Sequence, residues 1–223
     1  MNYITRITIS LLIIVSCSTT ATYSQNIDID WTESINHIDA GKGFESTMKF
    51  ISSSATYIEI GTVVGLGLYG WLRKDDKVME AGVVTGAAML LNGTITLTTK
   101  YGFNRKRPFE AYPDRIILRD KHSLSYSPSF VSGHTSMAFN LATSLTLSFP
   151  KLELAIPMYV WASSVAFSRM YLGVHYPSDV LGGIIAGIGS SYLTFKVNEW
   201  LKDKKKVHWG VSQVNIAYAG FVE

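Results

Sequence analysis

The stretch Ser168-Arg-Met-Tyr-Leu-Gly-Val-His-Tyr-Pro-Ser-Asp179 lies between two long apolar segments of the chain. It places a cation (Arg169), an imidazole (His175) and a carboxylate (Asp179) within twelve residues. Pro177 suits the first position of a helix, so Asp179 falls in the first turn, one turn beyond His175. A carboxylate there can accept the Nδ1–H of the imidazole and leave Nε2 free as a base or nucleophile. Taken alone, the pair fits a catalytic site and an ordinary structural contact equally well.

Five apolar segments surround this stretch, and none of them alternates strictly between apolar and polar residues. This pattern is typical of helices that are hydrophobic nearly all round. Upstream, apolar residues recur at roughly helical spacing among polar ones between residues 25 and 54, which predicts an amphipathic helix. The sequence therefore predicts an all-α fold, a bundle of five long apolar helices plus an N-terminal amphipathic helix. The five segments are Ala55–Leu72, Ala81–Thr99, Thr135–Phe149, Leu152–Phe167 and Val180–Phe195.

The same segments fit either the interior of an all-α domain or short membrane spans, since a span needs about 20 apolar residues. Basic residues in alternate loops partly satisfy the positive-inside tendency, which favours the membrane. The mean hydropathy of only +0.17 argues the other way. We predict a membrane-embedded chain and keep a soluble or peripheral one as the alternative. Three segments also carry the Gly-x-x-x-Gly spacing that lets helices approach closely in lipid: Gly61/Gly65, Gly82/Gly86 and Gly183/Gly187.

The N-terminal residues indicate export. Arg6 precedes the apolar run Ile7–Val15, which is too short to span a bilayer, and small polar residues follow. Residues 1–24 are thus predicted to be a signal peptide cleaved before Gln25, with lipidation at a loose lipoprotein box ending in Cys17 as the alternative. We expect residues 25–54 to be the amphipathic region, 55–200 the catalytic domain and 201–223 a tail with partial strand-like alternation. The net charge of +3 is too small to favour a nucleic-acid partner.

Two further clusters should join the opening stretch at one end of an up-and-down bundle. Three cations would repel each other there unless an anion lies among them, and phosphate matches two guanidinium groups and an ammonium. The start of a helix at Ser132-Gly133-His134 adds backbone N–H groups and the positive end of the helix dipole. The three cations are Lys100, Arg107 and Arg169, and the three clusters are Lys100–Pro108, Ser132–His134 and Ser168–Asp179.

The sequence contains no Gly-rich phosphate loop and no His/Cys or Asp/Glu cluster with metal-ligand spacing. We therefore expect phosphoryl transfer without a metal or other cofactor, with cations stabilising the transition state. Two histidines, His134 and His175, allow one to attack phosphorus while the other protonates the departing oxygen. The residues alone do not say which histidine does which.

The order Lys-x6-Arg-Pro, Ser-Gly-His and Ser-Arg-x5-His-x3-Asp resembles the tripartite signature of the type 2 phosphatidic acid phosphatase superfamily, over roughly residues 45–200. That superfamily includes lipid phosphatases, bacterial acid phosphatases and vanadium haloperoxidases. The resemblance implies that His175 is the nucleophile that forms a phosphohistidine, that Asp179 orients it, and that His134 is the general acid and then the base. It also implies that five residues hold the phosphoryl oxygens: Lys100, Arg107, Ser132, Gly133 and Arg169. Val131 stands where the family usually has proline, which should alter loop rigidity and not activity.

The predicted function is a metal-independent phosphatase that acts on a phosphate monoester or pyrophosphate of a lipid at the outer face of the inner membrane. By family analogy the candidate lipids are phosphatidate, phosphatidylglycerol phosphate, undecaprenyl pyrophosphate and lipid A. A soluble or lipid-anchored acid phosphatase is the first alternative, and a vanadium haloperoxidase the second. The connection Phe109–Phe130 is long, basic and aromatic, so we expect it to bind a head-group or a second phosphate and to decide specificity.

Overall fold

The computed structural model describes residues 27–120 and 127–219, with side chains up to residue 204. Every regular element in these ranges is a helix, so the predicted all-α class is confirmed. The predicted signal peptide and Cys17 lie outside the described residues. The helices are α1 (27–36), α2 (Gly41–Arg73), α3 (Asp76–Phe103), α4 (Pro108–Ala111), α5 (Gly133–Ser148), α6 (Leu152–Tyr171) and α7 (Pro177–Ala219).

The N-terminal region differs in detail from the single amphipathic helix that the spacing predicts. It forms α1 and the first turns of α2, which then runs without a break across residue 54. At the C-terminus, α7 continues as a helix to Ala219, through the tail whose alternation of residues is partly strand-like. An isolated strand leaves its backbone groups unpaired, whereas a helix satisfies them within itself.

A tight turn joins α2 to α3. Lys74 ends α2 in the left-handed conformation, and the Asp75 side chain then caps α3 by accepting the N–H groups of Lys77 and Val78, both at 3.1 Å. The two helices return antiparallel at very close range. A Cβ atom on Gly82 would lie 2.9 Å from the backbone nitrogen of Gly67, so the glycine is what permits this approach.

Helix α5 is the centre of the bundle and packs against α2, α3, α6 and α7. Its small and apolar side chains Ala138, Leu141 and Ala142 are completely buried. The closest approach is to α7, where a Cβ on Gly183 would lie 2.7 Å from the Ser132 carbonyl oxygen and one on Gly187 would overlap the carbonyl of Ser136. Of the three predicted glycine pairs, Gly183/Gly187 and Gly82/Gly86 make helix contacts, while Gly61/Gly65 faces open space.

Two helical stretches of the described chain are long and apolar enough to cross a membrane, judged by length and composition: Asp76–Ala111 and Pro177–Lys204. Only about a third of their most apolar windows is buried inside the protein, 33% and 28% respectively. Large apolar side chains consequently point outward, such as Leu90, which is 74% exposed, and Ile185, which is 64% exposed. Apolar surface of this kind marks a contact with lipid or with another protein.

Candidate active site

The ends of four helices meet at one end of the bundle. They are the C-terminal ends of α3 and α6 and the N-terminal ends of α5 and α7. Ser132, which precedes α5, donates its backbone N–H to the carbonyl of Asp179 in the first turn of α7, at 3.0 Å. Helix α1 reaches the same end, because the Asn36 amide donates to the carbonyls of Ile117 and Tyr171 at 2.9 and 2.8 Å.

The first cluster supplies two buried cations. Lys100 lies in the last turn of α3, and its Nζ donates to the Pro128 carbonyl at 2.5 Å. Arg107 precedes α4, which starts at Pro108, and is only 3% exposed. Its guanidinium donates to the carbonyl of Ser127 through Nε at 3.0 Å and to the carbonyl of Val174 through Nη1 at 3.3 Å. These carbonyl contacts hold the cations in place without neutralising their charge.

The second cluster begins α5. Ser132 is buried, and its hydroxyl pairs with that of Thr135 at 2.9 Å. A Cβ on Gly133 would lie 4.0 Å from Cε of Lys100, so the start of α5 faces the first cluster at contact distance. The first N–H groups of a helix have no partner within the helix, and at this point they add to the positive potential. Ser132, Gly133 and His134 therefore lie where an anion among the cations would contact them.

The third cluster turns between α6 and α7. Gly173 has φ +76°, and a Cβ there would lie 2.7 Å from the Ile117 carbonyl oxygen, so only glycine fits this turn. Arg169 is 2% exposed, and its Nη1 donates to the hydroxyl of Ser52 on α2. His175 is 1% exposed and its Nδ1 lies 3.3 Å from Oδ2 of Asp179, as the helical spacing predicts.

Charge and burial act together on the two histidines. Burial lowers the pKa of His175 well below its usual value, and the nearby cations Arg107, Arg169 and Lys100 lower it further. The pKa of His134 falls to about 3 for the same reasons, burial first and then those three cations. Both imidazoles are therefore neutral at pH 7 while no anion is bound. The two histidines and three cations that the sequence predicts to converge occupy one positively charged site.

Asp179 is more heavily supported than the sequence indicates. Its carboxylate is completely buried and has four hydrogen-bonding neighbours. Oδ1 accepts from Arg105 at 2.8 Å, and Oδ2 accepts from the backbone N–H of Tyr176 at 3.0 Å and from the Ser129 hydroxyl, besides facing His175. These donors compensate the buried charge and fix the carboxylate so that one oxygen faces the imidazole.

Four site residues escape the sequence reasoning: Ser52, Arg105, Ser129 and Asp28. Arg105 stands two residues before Arg107 and looks like one more loop cation, and only the ion pair with Asp179 reveals its place. Asp28 lies in α1, far from every motif, and no local signal marks it. It binds Arg105 at 2.7 Å.

In the described part of the loop after α4, the two arginines that could bind a second phosphate are already paired with other protein groups. Arg115 forms ion pairs with Asp30 and Glu33, and Arg119 donates to the Asn36 carbonyl at 2.7 Å and to Glu45 at 3.2 Å. Both arginines therefore attach the loop to α1 and α2. The other candidates in this loop, Lys121 and Tyr126, lie outside the described residues. Within the described part of the chain no group of three or more His, Cys, Asp or Glu residues is arranged to hold a metal.

Comparison with known proteins agrees with this architecture. The profile of the PAP2 superfamily matches residues 79–203, from the first turn of α3 well into α7. Undecaprenyl-diphosphatase BcrC of Bacillus subtilis is 29% identical over 158 residues, which is 71% of this chain and 77% of that protein. A lipid A 4'-phosphatase of Bacteroides thetaiotaomicron is 44% identical over 61 residues, 27% of each chain.

Two solved structures share the fold. A transmembrane PAP2-type phosphatidylglycerolphosphate phosphatase from Bacillus subtilis superimposes with a TM-score of 0.61 at 25% identity, covering 86% of this chain and 94% of its own. LpxE of Aquifex aeolicus has a TM-score of 0.64 at 23% identity and covers 76% of this chain and 95% of its own. The family match extends over more than half of the sequence and includes all three motifs. The chain belongs to the PAP2 superfamily and is a phosphatase of that family.

Proposed function

We propose that this phosphatase is embedded in a membrane and removes phosphate from a phosphorylated lipid, with His175 as the nucleophile. The observation that carries the proposal is the contact of 3.3 Å between Nδ1 of His175 and the buried carboxylate of Asp179, beside three buried cations. A carboxylate in that position fixes the proton on Nδ1 and leaves the Nε2 lone pair for attack on phosphorus.

In the first step Nε2 of His175 forms a bond to phosphorus while the bond from phosphorus to the leaving oxygen breaks. His134 gives its proton to that oxygen. In the second step a water attacks the phosphohistidine, His134 takes the water's proton, and the N–P bond breaks to release inorganic phosphate. Lys100, Arg107, Arg169, the Ser132 hydroxyl and the N–H of Gly133 bind the phosphoryl oxygens and stabilise their charge throughout.

The low pKa of His134 in the empty site links its protonation to substrate binding. Burial and three cations hold this pKa at about 3, so the imidazole carries no proton to donate at neutral pH. A phosphate group bound among the cations offsets their charge and raises the pKa of His134 again. The general acid is therefore charged when substrate arrives, and phosphate binding takes up a proton.

The membrane assignment rests on the outer surface of the bundle. Two stretches can span a bilayer, and large apolar side chains such as Leu90 and Ile185 face outward along them. The four helix ends that carry the motifs lie at one end of the bundle, which would place the site at a membrane surface. We assign that surface to the periplasmic face, because the predicted signal peptide exports the chain.

Among lipids, a polyprenyl diphosphate is the first substrate to test. Several relatives that align over more than half of this chain carry the name undecaprenyl-diphosphatase, including those of Bacillus subtilis and Sulfolobus acidocaldarius. Lipid A phosphates and phosphatidylglycerol phosphate follow, from the shorter match and the solved structure described above.

The test is phosphate release by the purified, detergent-solubilised protein from undecaprenyl diphosphate, lipid A, phosphatidylglycerol phosphate, phosphatidate and p-nitrophenyl phosphate, each with and without EDTA. We expect one of the lipids to be hydrolysed with the highest kcat/KM and EDTA to have no effect. His175→Ala should abolish release. His37→Ala is the matched control, because this exposed histidine belongs to none of the three clusters and its Nε2 lies 3.0 Å from the Arg115 carbonyl.

Four results would contradict the proposal. Retained turnover in His175→Ala would exclude this nucleophile, and loss of activity with EDTA would exclude a metal-free reaction. Recovery of the protein in the soluble fraction without detergent, with p-nitrophenyl phosphate as the preferred substrate, would favour the soluble acid phosphatase. Bromide oxidation on addition of vanadate would favour the haloperoxidase.

A further inference from the structure

One side chain of α1 reaches the active site, although α1 precedes the region that the family profile matches. Asp28 is 7% exposed. Its Oδ1 accepts the backbone N–H of Ser178 in the first turn of α7 at 2.9 Å, and its Oδ2 accepts from the Ser178 hydroxyl and from Nη2 of Arg105 at 2.7 Å. A carboxylate on the first N–H groups of a helix compensates the positive end of that helix. Asp28 thus holds the turn that carries Asp179.

Arg105 is the bridge between the two carboxylates. Its Nη2 binds Asp28, while its Nη1 donates to Oδ1 of Asp179 at 2.8 Å and to the Ser178 hydroxyl at 2.7 Å. The guanidinium also stacks 3.8 Å from the ring centroid of Tyr176, which keeps its plane fixed. The backbone of Arg105 contributes as well, because its carbonyl accepts the N–H of Ser129 at 2.7 Å and the Ser129 hydroxyl binds Asp179.

We propose that Arg105 and Asp28 are positioning residues that set both the orientation of Asp179 and the proton affinity of the His175–Asp179 pair. Arg105 keeps the buried carboxylate ionised and turned towards the imidazole. Asp28 holds Arg105 and offsets part of its charge. This role depends on the proposed function of His175, but its electrostatic part can be measured without turnover.

Negative and positive charges alternate along the row Asp28–Arg105–Asp179. A fully buried carboxylate is strongly unfavourable unless it is paired and hydrogen-bonded, and Arg105 supplies the pairing. A lone arginine would cancel the negative charge that the imidazole needs as its Nε2 attacks phosphorus. Asp28 restores it, since the row Asp28–Arg105–Asp179 has a net charge of −1. The imidazole of His175 contacts Asp179 at the end of this row. It also lies close enough to the cations Lys100, Arg107 and Arg169 for their charge to lower its pKa.

The test uses the pH dependence of kcat at saturating substrate, where the acid limb reports protonation of the His175–Asp179 pair as a unit. Arg105→Gln removes a positive charge, so the pair binds its proton more tightly and the acid limb moves up, by about half to one pH unit. Asp28→Asn removes a negative charge and moves the limb down by a similar amount. The other charged or titratable groups that face the pair are Lys100, Arg107, His134, Arg169 and Tyr176, and they are the same in both variants.

Two controls separate electrostatics from packing. Arg115→Gln loosens α1 in a comparable way, because Arg115 pairs with Asp30 and Glu33 of α1 and does not touch Asp179. It should leave the acid limb where it is in the wild type. Arg105→Lys keeps the positive charge and should return the limb close to its wild-type position. The ionisation of the substrate is common to all variants and does not contribute to the difference.

Opposite shifts in Arg105→Gln and Asp28→Asn, absent from Arg115→Gln, support the proposal. Shifts in the same direction, no shift in Asp28→Asn, or an equal shift in Arg115→Gln overturn it. Should Arg105→Gln not fold, the comparison of Asp28→Asn with Arg115→Gln decides alone.

A second readout does not use activity. The NMR titration of the His175 ring in protein saturated with inorganic phosphate, assigned through His175→Ala, should move in the same two directions. If the titration shifts in opposite directions in the two variants while His175→Ala still turns over, Arg105 and Asp28 have the proposed positioning role but His175 is not the nucleophile. If the titration does not shift in an active phosphatase that requires His175, only the positioning role of Arg105 and Asp28 is excluded.

Discussion

Replacing Asp179 by asparagine measures what the buried carboxylate contributes to catalysis. When Nε2 of His175 attacks phosphorus, positive charge develops on the ring, 3.3 Å from Oδ2 of Asp179. At an effective dielectric constant of about 20, a full charge at this distance interacts by about 5 kcal/mol. The transition state of phosphoryl transfer is loose, so only about half of a full charge has developed on the ring when it is reached. About 2–3 kcal/mol remains for Asp179→Asn to remove.

We therefore expect kcat of Asp179→Asn to fall by about 30- to 150-fold, since each 1.4 kcal/mol is a factor of ten. KM should change little, because Asp179 contacts His175 and not the phosphoryl oxygens. The measurement is phosphate release at saturating substrate, together with trapping of the phosphoenzyme after a rapid acid-free quench. Asp203→Asn, at an exposed position on the same helix, is the matched control.

A kcat within threefold of the wild type would refute the reasoning, because it would mean that the ring gains no charge beside Asp179 in the transition state. A loss far above 10³-fold with unchanged thermal stability would refute it differently, by showing that the carboxylate does more than interact electrostatically with His175. A large rise in KM with unchanged kcat would place Asp179 in substrate binding.

Three further predictions concern stability, each measured as the thermal midpoint in detergent. The midpoint should fall by several degrees from pH 7 to pH 5, because burial and nearby cations lower the pKa of His134 and His175 in the folded protein. The unfolded chain then binds more protons than the folded one below about pH 6.5. Inorganic phosphate should lessen the fall, and a midpoint that does not change with pH would contradict the prediction. Glu59→Met should raise the midpoint, since this buried carboxyl has no hydrogen-bond partner among the described residues. Burying such an unpaired polar group costs about 1–3 kcal/mol. A lower midpoint would reveal a partner for the carboxyl. Gly187→Ala should destabilise the protein by about 1–3 kcal/mol, because the added Cβ would overlap the Ser136 carbonyl. Gly189→Ala on the same helix meets open space and should be neutral or stabilising. Equal effects of the two substitutions would refute the close α5–α7 contact.

Much of the fold could be predicted because apolar length and lack of alternation are properties of consecutive residues. Helix α6 begins at Leu152, as predicted, and α3 begins at Asp76, shortly before the predicted segment that starts at Ala81. The expected boundaries at residues 54 and 200 fall inside helices, since α2 and α7 run through these positions without a break. The partial strand-like alternation near the C-terminus did not show what the tail forms, and the backbone there is helical to Ala219.

By itself, the sequence determined the helical class, the three motifs and the chemistry of a phosphate site, because each motif places its reactive groups within a few residues of one another. Only the tertiary structure decided which groups support them. Arg105 meets Asp28 across 77 positions of the chain, and Ser52 meets Arg169 across 117. Such contacts depend on how helices pack, and a side chain carries no local mark of a partner that lies so far away. The stretch Ser168–Asp179 contains the nucleophile that we propose, while side chains of α1, α2 and the loop before α4 hold that stretch in place.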